Sequence, residues 1–437
     1  MDEPLAGLGA NVLYRGAEMR YQGHMRFAAF FVLSAMAVSA PLDQDSRWKL
    51  WSPRAEIAPK VSRAGGALVV EGGGIPGVCG GWVLHETTIK PGGWYRLEAR
   101  YLAKGFTHEP SQLFARLDWR DANGRRAGQP EYGYQIKQEG DYTRLTIEAP
   151  APQNAAGVEV QLWVWKAPAG KVAWDQLSLN AIPTPAARNV KVAAIRLRPK
   201  GEDPVAKFID LSRRSVPEGT DIILLPEGIT VVGTTKKYAE VSEPAQGPTV
   251  ERLGALAREK KAWVVAGIYE RDGGTVYNTA VLVDRQGRYA GKYRKVYIPR
   301  EEMEAGITPG DDYPVYATDF GKVGMMICYD VFFADPARGL ATNGAELILM
   351  PIWGGKETLA RARAEENHVF LATSGYDFPA LVYDPVGETL ARSEVDGTVA
   401  VTTIDLAERY DEKWLGNMKA RFFRELRTDV DADTRKR

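Results

Sequence analysis

Cysteine and histidine are scarce in this chain of 437 residues, which contains two cysteines and four histidines. The histidines are scattered at positions 24, 85, 108 and 368, and no Cys/His cluster occurs. A structural zinc site draws about four such ligands from a compact pattern. The sequence therefore predicts no metal site.

Net charge is also lacking, because 56 lysines and arginines balance 56 aspartates and glutamates. No general electrostatic field favours nucleic acid, an anionic membrane or acidic partners. A hydrophobic content of 45% is ample for buried cores, and the length suits two domains and a leader. We expect the leader over residues 1–40, a first domain over 42–183 and a second over 187–427.

The leader contains the segment Met25–Ala40, which has a short basic start, an apolar run and small residues at its end. The run is too short to cross a bilayer easily, and the pattern is typical of a secretory signal peptide. We therefore expect export to the periplasm or the extracellular space, with residues 1–24 as an upstream extension. An uncleaved anchor or a buried helix is the alternative.

The first domain lacks a convincing long helix and consists of short alternating runs separated by turns. In the run 158–165, four aliphatic residues share one face, and Glu159, Gln161, Trp163 and Trp165 share the other. This pattern predicts an antiparallel β-sandwich, and its layout resembles jelly-roll carbohydrate-binding modules. Trp163 and Trp165 would stack on sugar rings or pack in a structural role; we favour the structural role.

A proline-containing linker, residues 181–187, leads into a second domain in which strands and helices alternate. Such alternation predicts sheets covered by helices. Within it, the apolar run Val323–Ile327 ends abruptly at Cys328. Asp335 and Pro336 then stand in the order of an N-cap and a first helical residue, with Gly344 as the stop. A strand, a thiol and a turn into a helix predict a nucleophile elbow, and a buried core cysteine is the alternative.

Two further strands end in charged residues. Glu227 ends the apolar segment 221–228, and Lys295 lies in the segment 291–299. Since the carboxyl ends of strands in an α/β protein converge on one crevice, we expect both to approach Cys328. A carboxylate can take the thiol proton, the thiolate can attack a carbonyl, and an ammonium can stabilise the oxyanion.

The ordered set Leu-Pro-Glu-Gly, Tyr-Arg-Lys and Ile-Cys-Tyr-Asp resembles the nitrilase superfamily of carbon–nitrogen hydrolases, over roughly residues 189–427. The segments 307–310, 351–355 and 361–367 also look like family segments. The resemblance implies a four-layer αββα sandwich and a homodimer or higher homo-oligomer formed through the helices near Pro336 and Leu359.

The resemblance also implies roles for single residues. Glu227 would be the general base, Lys295 the oxyanion-stabilising lysine and Cys328 the nucleophile. A second glutamate is expected between the lysine and the cysteine strand; Glu304 is the favoured match, and Glu301 and Glu302 compete with it.

We expect the backbone N–H of Tyr329 to join Lys295 at the oxyanion, and Trp353 and Gly354 to line the substrate pocket. The chemistry requires no cofactor. A bridge between Cys79 and Cys328 would consume the nucleophile, so we expect both thiols to be unpaired. His368 invites a Cys–His dyad, but a helix-end or subunit-contact role is favoured.

The sequence therefore predicts an exported amidase-type hydrolase of a small non-peptide C–N bond in an amide or a ureide. An N-carbamoyl amidohydrolase is the nearest alternative. A nitrilase is less favoured, because nitrilases commonly carry Cys-Trp-Glu where this chain has Cys328-Tyr329-Asp330. An acyltransferase would use the same triad. The non-enzyme alternative is a glycan-binding or scaffold protein with an inactive hydrolase domain.

Overall fold

The computed structural model describes residues 41–430. The expected signal peptide, residues 25–40, lies outside the described residues. Between residues 41 and 430, no helix has the length and apolar character needed to cross a membrane.

The first domain is built from strands, as its alternating pattern predicts. In chain order its strands and one short helix are β1 (Lys49–Trp51), β2 (Lys60–Ala64), β3 (Ala67–Glu71), β4 (Cys79–Glu86), β5 (Trp94–Lys104), α1 (Glu109–Gln112), β6 (Leu113–Arg120), β7 (Glu131–Tyr132), β8 (Gln135–Glu139), β9 (Tyr142–Pro150), β10 (Gly157–Trp165) and β11 (Lys171–Ile182). They form two antiparallel sheets, ordered β1-β4-β10-β6-β7 and β2-β3-β11-β5-β9-β8. A β-sandwich results, and the jelly-roll resemblance stays a prediction.

The sandwich core lies between the two sheets. Val158, Val160, Leu162 and Val164 on β10 are all fully buried in it, which confirms the alternation read from the sequence. Strand β11 continues to Ile182, so the linker begins two residues later than expected.

The second domain alternates strands and helices. Its elements are β12 (Asn189–Arg196), α2 (Pro204–Ser215), β13 (Ile222–Leu224), α3 (Tyr238–Val241), α4 (Pro248–Lys260), β14 (Trp263–Asp272), β15 (Thr275–Val283), β16 (Tyr289–Arg294), α5 (Arg300–Glu304), β17 (Ile307–Thr308), β18 (Val315–Ala317), β19 (Lys322–Met325), α6 (Asp335–Thr342), β20 (Leu347–Pro351), α7 (Glu357–Asn367), β21 (Phe370–Ser374), β22 (Ala380–Tyr383), β23 (Thr389–Ser393) and β24 (Thr398–Asp405). The chain then forms β25 (Asp411–Glu412), β26 (Gly416–Asn417) and α8 (Met418–Glu425).

These elements form two central sheets with helices outside. The first sheet has the order β16-β15-β14-β13-β12-β24, with β17 beside β15, and the second has the order β18-β19-β20-β21-β22-β23. One apolar core joins the sheets, with Leu224 from one and Leu349 from the other. Helices α2 and α4 cover the first sheet through Phe208 and Leu253, and α6 and α7 pack on the second. The layers therefore follow the expected αββα order.

The end of the chain returns to the sandwich. Arg424 of α8 is only 2% exposed and donates hydrogen bonds to the carbonyls of Gly133 and Leu113. Arg409 forms an ion pair with Glu131 at 2.7 Å. The sequence assigned residues up to 427 to the second domain, and α8 contacts both domains: Arg424 reaches the sandwich, and Phe422 lies against His368 of the second domain.

Candidate active site

Cys328 lies at a sharp turn between a strand and a helix. Strand β19 ends at Met325, and a 3-10 helix begins at Cys328 and ends at Phe332. The backbone of Cys328 is left-handed, with φ of 42°. Residues other than glycine rarely adopt this conformation, and such strain often marks functional sites. Cys328 is partly buried at this turn, and its position agrees with the expected nucleophile elbow.

Two details of the expected elbow are wrong. The strand ends two residues before Ile327, and Asp335 is the first residue of α6 rather than its N-cap. Ala334 precedes the helix, and no side chain caps it. The Asp335 carboxylate accepts a hydrogen bond from the Tyr297 hydroxyl at 2.9 Å instead. Gly344 follows the helix with φ of 95°, as expected of a stop residue.

The Glu227 loop follows β13 and is held closely against the neighbouring strand. A Cβ atom at Gly267 would lie 2.6 Å from the Glu227 Cα, so only glycine fits on β14 at this point. The Tyr376 hydroxyl donates to the Glu227 carbonyl at 2.8 Å. These contacts fix the backbone from which the buried carboxylate projects.

Lys295 lies between two buried carboxylates. Its side chain is 1% exposed, and its ammonium donates to Glu227 Oε1 and to Glu302 Oε2, each at 2.9 Å. The amide of Asn278 donates to Oε1 of both glutamates at 2.7 Å. One lysine and one amide thus hold both carboxylates in place.

Glu302, rather than the favoured Glu304, is the glutamate after Lys295 that contacts the lysine. Helix α5 turns by about 100° per residue, and two positions apart therefore point to nearly opposite sides. Glu302 is 5% exposed, whereas the Glu304 side chain is 65% exposed. Glu301 is also exposed and pairs with Arg300 at 2.9 Å. Three glutamates stand close together in the sequence, and nothing local distinguishes the inward-facing one.

Sequence reasoning also missed Asn278. A buried amide in the middle of the apolar strand β15 must find hydrogen-bond partners, and this was the signal that could have found it. Its Oδ1 atom is buried without a partner among residues 41–430.

Burial and charge set the protonation of the site. Burial and then the Glu227 carboxylate raise the pKa of the Cys328 thiol to about 12, against the lowering by Lys295 and by backbone hydrogen bonds with Trp353 and Gly354. Burial alone would lower the pKa of Lys295, but Glu227, Cys328 and Glu302 together raise it. At neutral pH the site therefore holds an ammonium and a protonated thiol, which needs a base before it can attack.

Glu227 can act as that base. Its Oε1 accepts from Lys295 and Asn278, whereas its Oε2 is buried and has no hydrogen-bond partner in the described part of the chain. A buried acceptor without a partner costs about 1–3 kcal/mol. One oxygen of the carboxylate is therefore hydrogen-bonded, and the other can accept a proton.

Asp330 joins the elbow to the lysine segment. Its Oδ2 accepts from the backbone N–H of Ile327 at 2.9 Å and from the Tyr293 hydroxyl at 2.7 Å. Its Oδ1 accepts from the backbone N–H of Tyr297 at 2.9 Å. Burial raises the pKa of this carboxyl to about 6, against the lowering by its three donors. The Asp330 side chain therefore joins Ile327, the residue before Cys328, to the segment around Lys295.

The remaining expected site residues surround the thiol. The Cys328 Sγ lies 3.6 Å from the Gly354 carbonyl oxygen. The Trp353 ring packs on Tyr376 with ring centres 4.7 Å apart. Tyr329 is the second residue of the 3-10 helix, where a backbone N–H has no acceptor within the helix.

Cys79 and His368 lie in other surroundings. Cys79 is on β4 of the sandwich, and both cysteines are unpaired, as expected. His368 ends α7 in a left-handed conformation, and its ring lies 6.2 Å from Phe422. It is absent from the main groups that shift the pKa of the Cys328 thiol. Among residues 41–430, no cluster of three or more His, Cys, Asp or Glu side chains is arranged to hold a metal.

A thiol, a carboxylate and an ammonium gathered at the carboxyl ends of strands define a site for nucleophilic catalysis through a covalent intermediate. The carbon–nitrogen hydrolase family matches residues 191–411. A nitrilase from Pyrococcus abyssi is 35% identical over 238 residues, which cover 50% of this chain and 90% of that protein. The omega-amidase NIT2 from Homo sapiens is 29% identical over 261 residues, which cover 53% and 91%.

Among solved structures, an amidase from Nesterenkonia sp. is 25% identical with a TM-score of 0.45, covering 52% of this chain and 95% of that chain. The family match shows that this chain belongs to the carbon–nitrogen hydrolases of the nitrilase superfamily. The protein is a carbon–nitrogen hydrolase, and its relatives support amide C–N hydrolysis at the level of the family. The sandwich lies before the matched residues.

Proposed function

We propose that the protein hydrolyses a small non-peptide amide through a thioester on Cys328. The observation that carries the proposal is the buried Glu227 carboxylate, with one oxygen held by Lys295 and the other without a hydrogen-bond partner among residues 41–430. Glu227 also raises the thiol pKa and Lys295 lowers it, so both act electrostatically on Cys328.

In acylation, Glu227 Oε2 takes the proton from the Cys328 thiol, and the thiolate forms a bond to the carbonyl carbon. The Lys295 ammonium and the Tyr329 N–H stabilise the oxyanion. The protonated Glu227 then gives its proton to the leaving nitrogen, the C–N bond breaks, and ammonia or an amine departs.

In deacylation, Glu227 takes a proton from water, and the hydroxide adds to the thioester carbonyl. The C–S bond breaks, and the proton held by Glu227 returns to sulfur. Glu302 keeps its hydrogen bond to Lys295 throughout, so the ammonium retains a partner when Glu227 is neutral.

Support for an amide substrate comes from the sequence around the nucleophile and from the relatives. Cys328-Tyr329-Asp330 differs from the Cys-Trp-Glu that nitrilases commonly carry, and one relative is an omega-amidase. A nitrile, an N-carbamoyl compound or transfer of the acyl group to an amine would use the same triad.

We also propose export, a homodimer or higher homo-oligomer, and a structural role for the sandwich, with a glycan partner as the alternative. The Met25–Ala40 pattern supports export, and amino-terminal sequencing should then find a mature start near Pro41. Light scattering measures the oligomeric state. Trp165, which is 45% exposed on the sandwich, supports glycan binding, whereas Trp163 is stacked between Trp51 and Arg116.

The function is tested by measuring ammonia released from a panel of amides, ureides and nitriles. Cys328→Ala should abolish turnover, whereas Cys79→Ala should retain it within a few-fold, because Cys79 lies in the sandwich. Mass spectrometry of the quenched reaction should find the acyl group on Cys328. An acyl adduct on Cys79, or equal losses from the two substitutions, would refute the assignment.

A further inference from the structure

A cleft of about 860 Å³ lies between the sandwich and the hydrolase domain. The sandwich wall comes from β8 and β9, and includes Lys137. The opposite wall comes from the starts of β19 and β20, from the end of α7 and from α8, and includes Phe370 and Tyr410. Both domains therefore contribute side chains to one concave space, which we call the interdomain cleft.

The interdomain cleft is separate from the candidate active site. Lys322 begins β19, and Cys328 follows six residues later, beyond the other end of this strand. An extended strand rises about 3.3 Å per residue, so about 20 Å separates the two positions. The cleft meets the amino-terminal ends of the parallel strands, and Cys328 lies beyond their carboxyl ends.

Three cations surround the Glu346 carboxylate in this cleft. Over the whole lining, six lysines and arginines stand against three glutamates, which are Glu148, Glu346 and Glu408. Arg188 pairs with Glu346 through two hydrogen bonds of 2.8 and 3.1 Å. The Lys419 ammonium lies 4.0 Å from the same carboxylate. The Lys322 backbone N–H donates to Glu346 at 3.0 Å, but its ammonium makes no ion pair or hydrogen bond with any residue between 41 and 430. The cluster therefore carries more positive than negative charge.

Lys419 lies among these charges, and its side chain is 40% exposed. Partial burial is the main cause that lowers the pKa of its ammonium; Glu346 raises this pKa, Arg188 and Lys322 lower it further, and the net shift is downward. Like charges in a partly enclosed space repel each other more strongly than in open water. An anion placed among these cations would relieve the repulsion and would receive charge-assisted hydrogen bonds.

We propose that the interdomain cleft binds a ligand bearing an oxyanion, a phosphate or a carboxylate group, through Lys322, Lys419 and Arg188. The partly exposed ring of Tyr410, which packs on the buried Phe370, provides a surface for the rest of the ligand. Because Lys137 lines the opposite wall, the bound ligand would contact both domains and hold them together. This site is additional to the proposed amide hydrolysis.

The test is isothermal titration calorimetry of the full-length protein with inorganic phosphate and, separately, with citrate. Ionic strength is matched with sodium chloride, because screening alone weakens such contacts. Hydrogen bonds to charged groups contribute about 1.5–3 kcal/mol, and 1.4 kcal/mol corresponds to a tenfold change in Kd. Lys322→Gln and Lys419→Gln should each weaken binding at least about tenfold.

Lys60→Gln is the matched control, because Lys60 is exposed on β2 at the edge of its sheet opposite β8. It should bind the probe like the parent protein. The probe that binds more tightly identifies the oxyanion. Hydrolysis should continue at the parent rate in both cleft variants, since the triad lies about 20 Å away, and this rate reports that the variants are folded.

Two results would overturn the proposal. One is that neither phosphate nor citrate binds. The other is that binding is the same in the parent and in both cleft variants, which would mean an adventitious ion only. If Lys322→Gln fails to fold, Lys419→Gln decides the matter, because its side chain is 40% exposed on α8.

Discussion

The two oxygens of Glu227 have different surroundings, and this difference allows a precise substitution. Glu227→Gln can keep its carbonyl oxygen toward Lys295 and Asn278 and place its amide where the unpartnered Oε2 lies. The fold should therefore survive while the base is lost, and acylation should stop. Because the Glu227 charge raises the thiol pKa, its removal should shift alkylation of Cys328 by iodoacetamide to lower pH. Mass spectrometry across pH measures this shift.

Lys295→Met should have the opposite effect on alkylation. Lys295 lowers the thiol pKa, so its loss should move the alkylation profile to higher pH, since the thiolate is the reactive form. The activation free energy of turnover should rise by about 3 kcal/mol, as it does when an oxyanion donor is removed. Parent rates of hydrolysis in both Lys295→Met and Glu227→Gln would show that the triad assignment is wrong.

Asp330 accepts three hydrogen bonds with two oxygens, and an amide cannot reproduce them. Whichever way the new side chain of Asp330→Asn is turned, its NH₂ group meets a backbone N–H, of Ile327 or of Tyr297. One buried donor then lacks an acceptor, which costs about 1–3 kcal/mol. We expect a lower Tm and a lower kcat, with slower alkylation of Cys328 because the elbow moves relative to Lys295.

Asp335→Asn is the control for this prediction. Its carboxylate is exposed and, among residues 41–430, accepts only from the Tyr297 hydroxyl, and an amide oxygen can accept this hydrogen bond as well. Tm and kcat should stay near the parent values. Equal effects of the two substitutions would show that Asp330 does not position the elbow.

The sequence could predict the residues that stand in recognisable order along the chain. Cys328, Glu227 and Lys295 each follow a strand and carry a reactive group, so local pattern and family resemblance found them. Asn278 acts through hydrogen bonds across the sheet, and no local pattern reports which strands meet.

At the scale of elements, the short helix α5 decides which glutamate enters the site. Glu302→Gln would place an NH₂ group against either the Lys295 ammonium or the Asn278 amide, both of which are donors. We expect kcat to fall at least about tenfold, because a buried charged contact of about 1.5–3 kcal/mol is lost from the group that holds the lysine. Steady-state kinetics measures the loss.

Glu304→Gln, on the same helix, is the matched control. Its side chain is exposed, and its nearest cation, Arg300, lies 3.9 Å away, so the free energy of unfolding should change by less than about 0.5 kcal/mol. A loss of activity in Glu304→Gln with parent activity in Glu302→Gln would reverse our correction of the second glutamate.

Elements with strong periodicity could be predicted well, and their ends less well. The amphipathic face of α4, with Val250, Leu253 and Leu256 buried, follows from its spacing alone. The end of β19 and the start of α6 differ by one or two residues from the prediction. At the start of α6, the Asp335 carboxylate accepts from the distant Tyr297 hydroxyl instead of capping the helix, which the local sequence does not indicate.

At the scale of the whole molecule, the composition predicted two domains but not how they meet. Helix α8 follows the hydrolase domain in sequence, yet it packs against the sandwich. The interdomain cleft exists because residues far apart in sequence, such as Lys137 and Lys322, line the same space. Such packing depends on the shapes of the surfaces of the two folded domains, and no local sequence pattern carries that information.

The hydrolase domain should fold and act without the sandwich. All three triad residues lie between 187 and 411, so a fragment with these bounds should hydrolyse small soluble amides within a few-fold of the parent rate.

A fragment of residues 187–430 keeps α8 without the sandwich that covers it. Phe422, Phe423 and Leu426 would then join an exposed apolar patch, and such patches promote association. Size-exclusion chromatography should therefore show aggregation of the longer fragment only, and activity assays should find turnover in the shorter one. A shorter fragment that is folded by circular dichroism but inactive would mean that the sandwich contributes to the site.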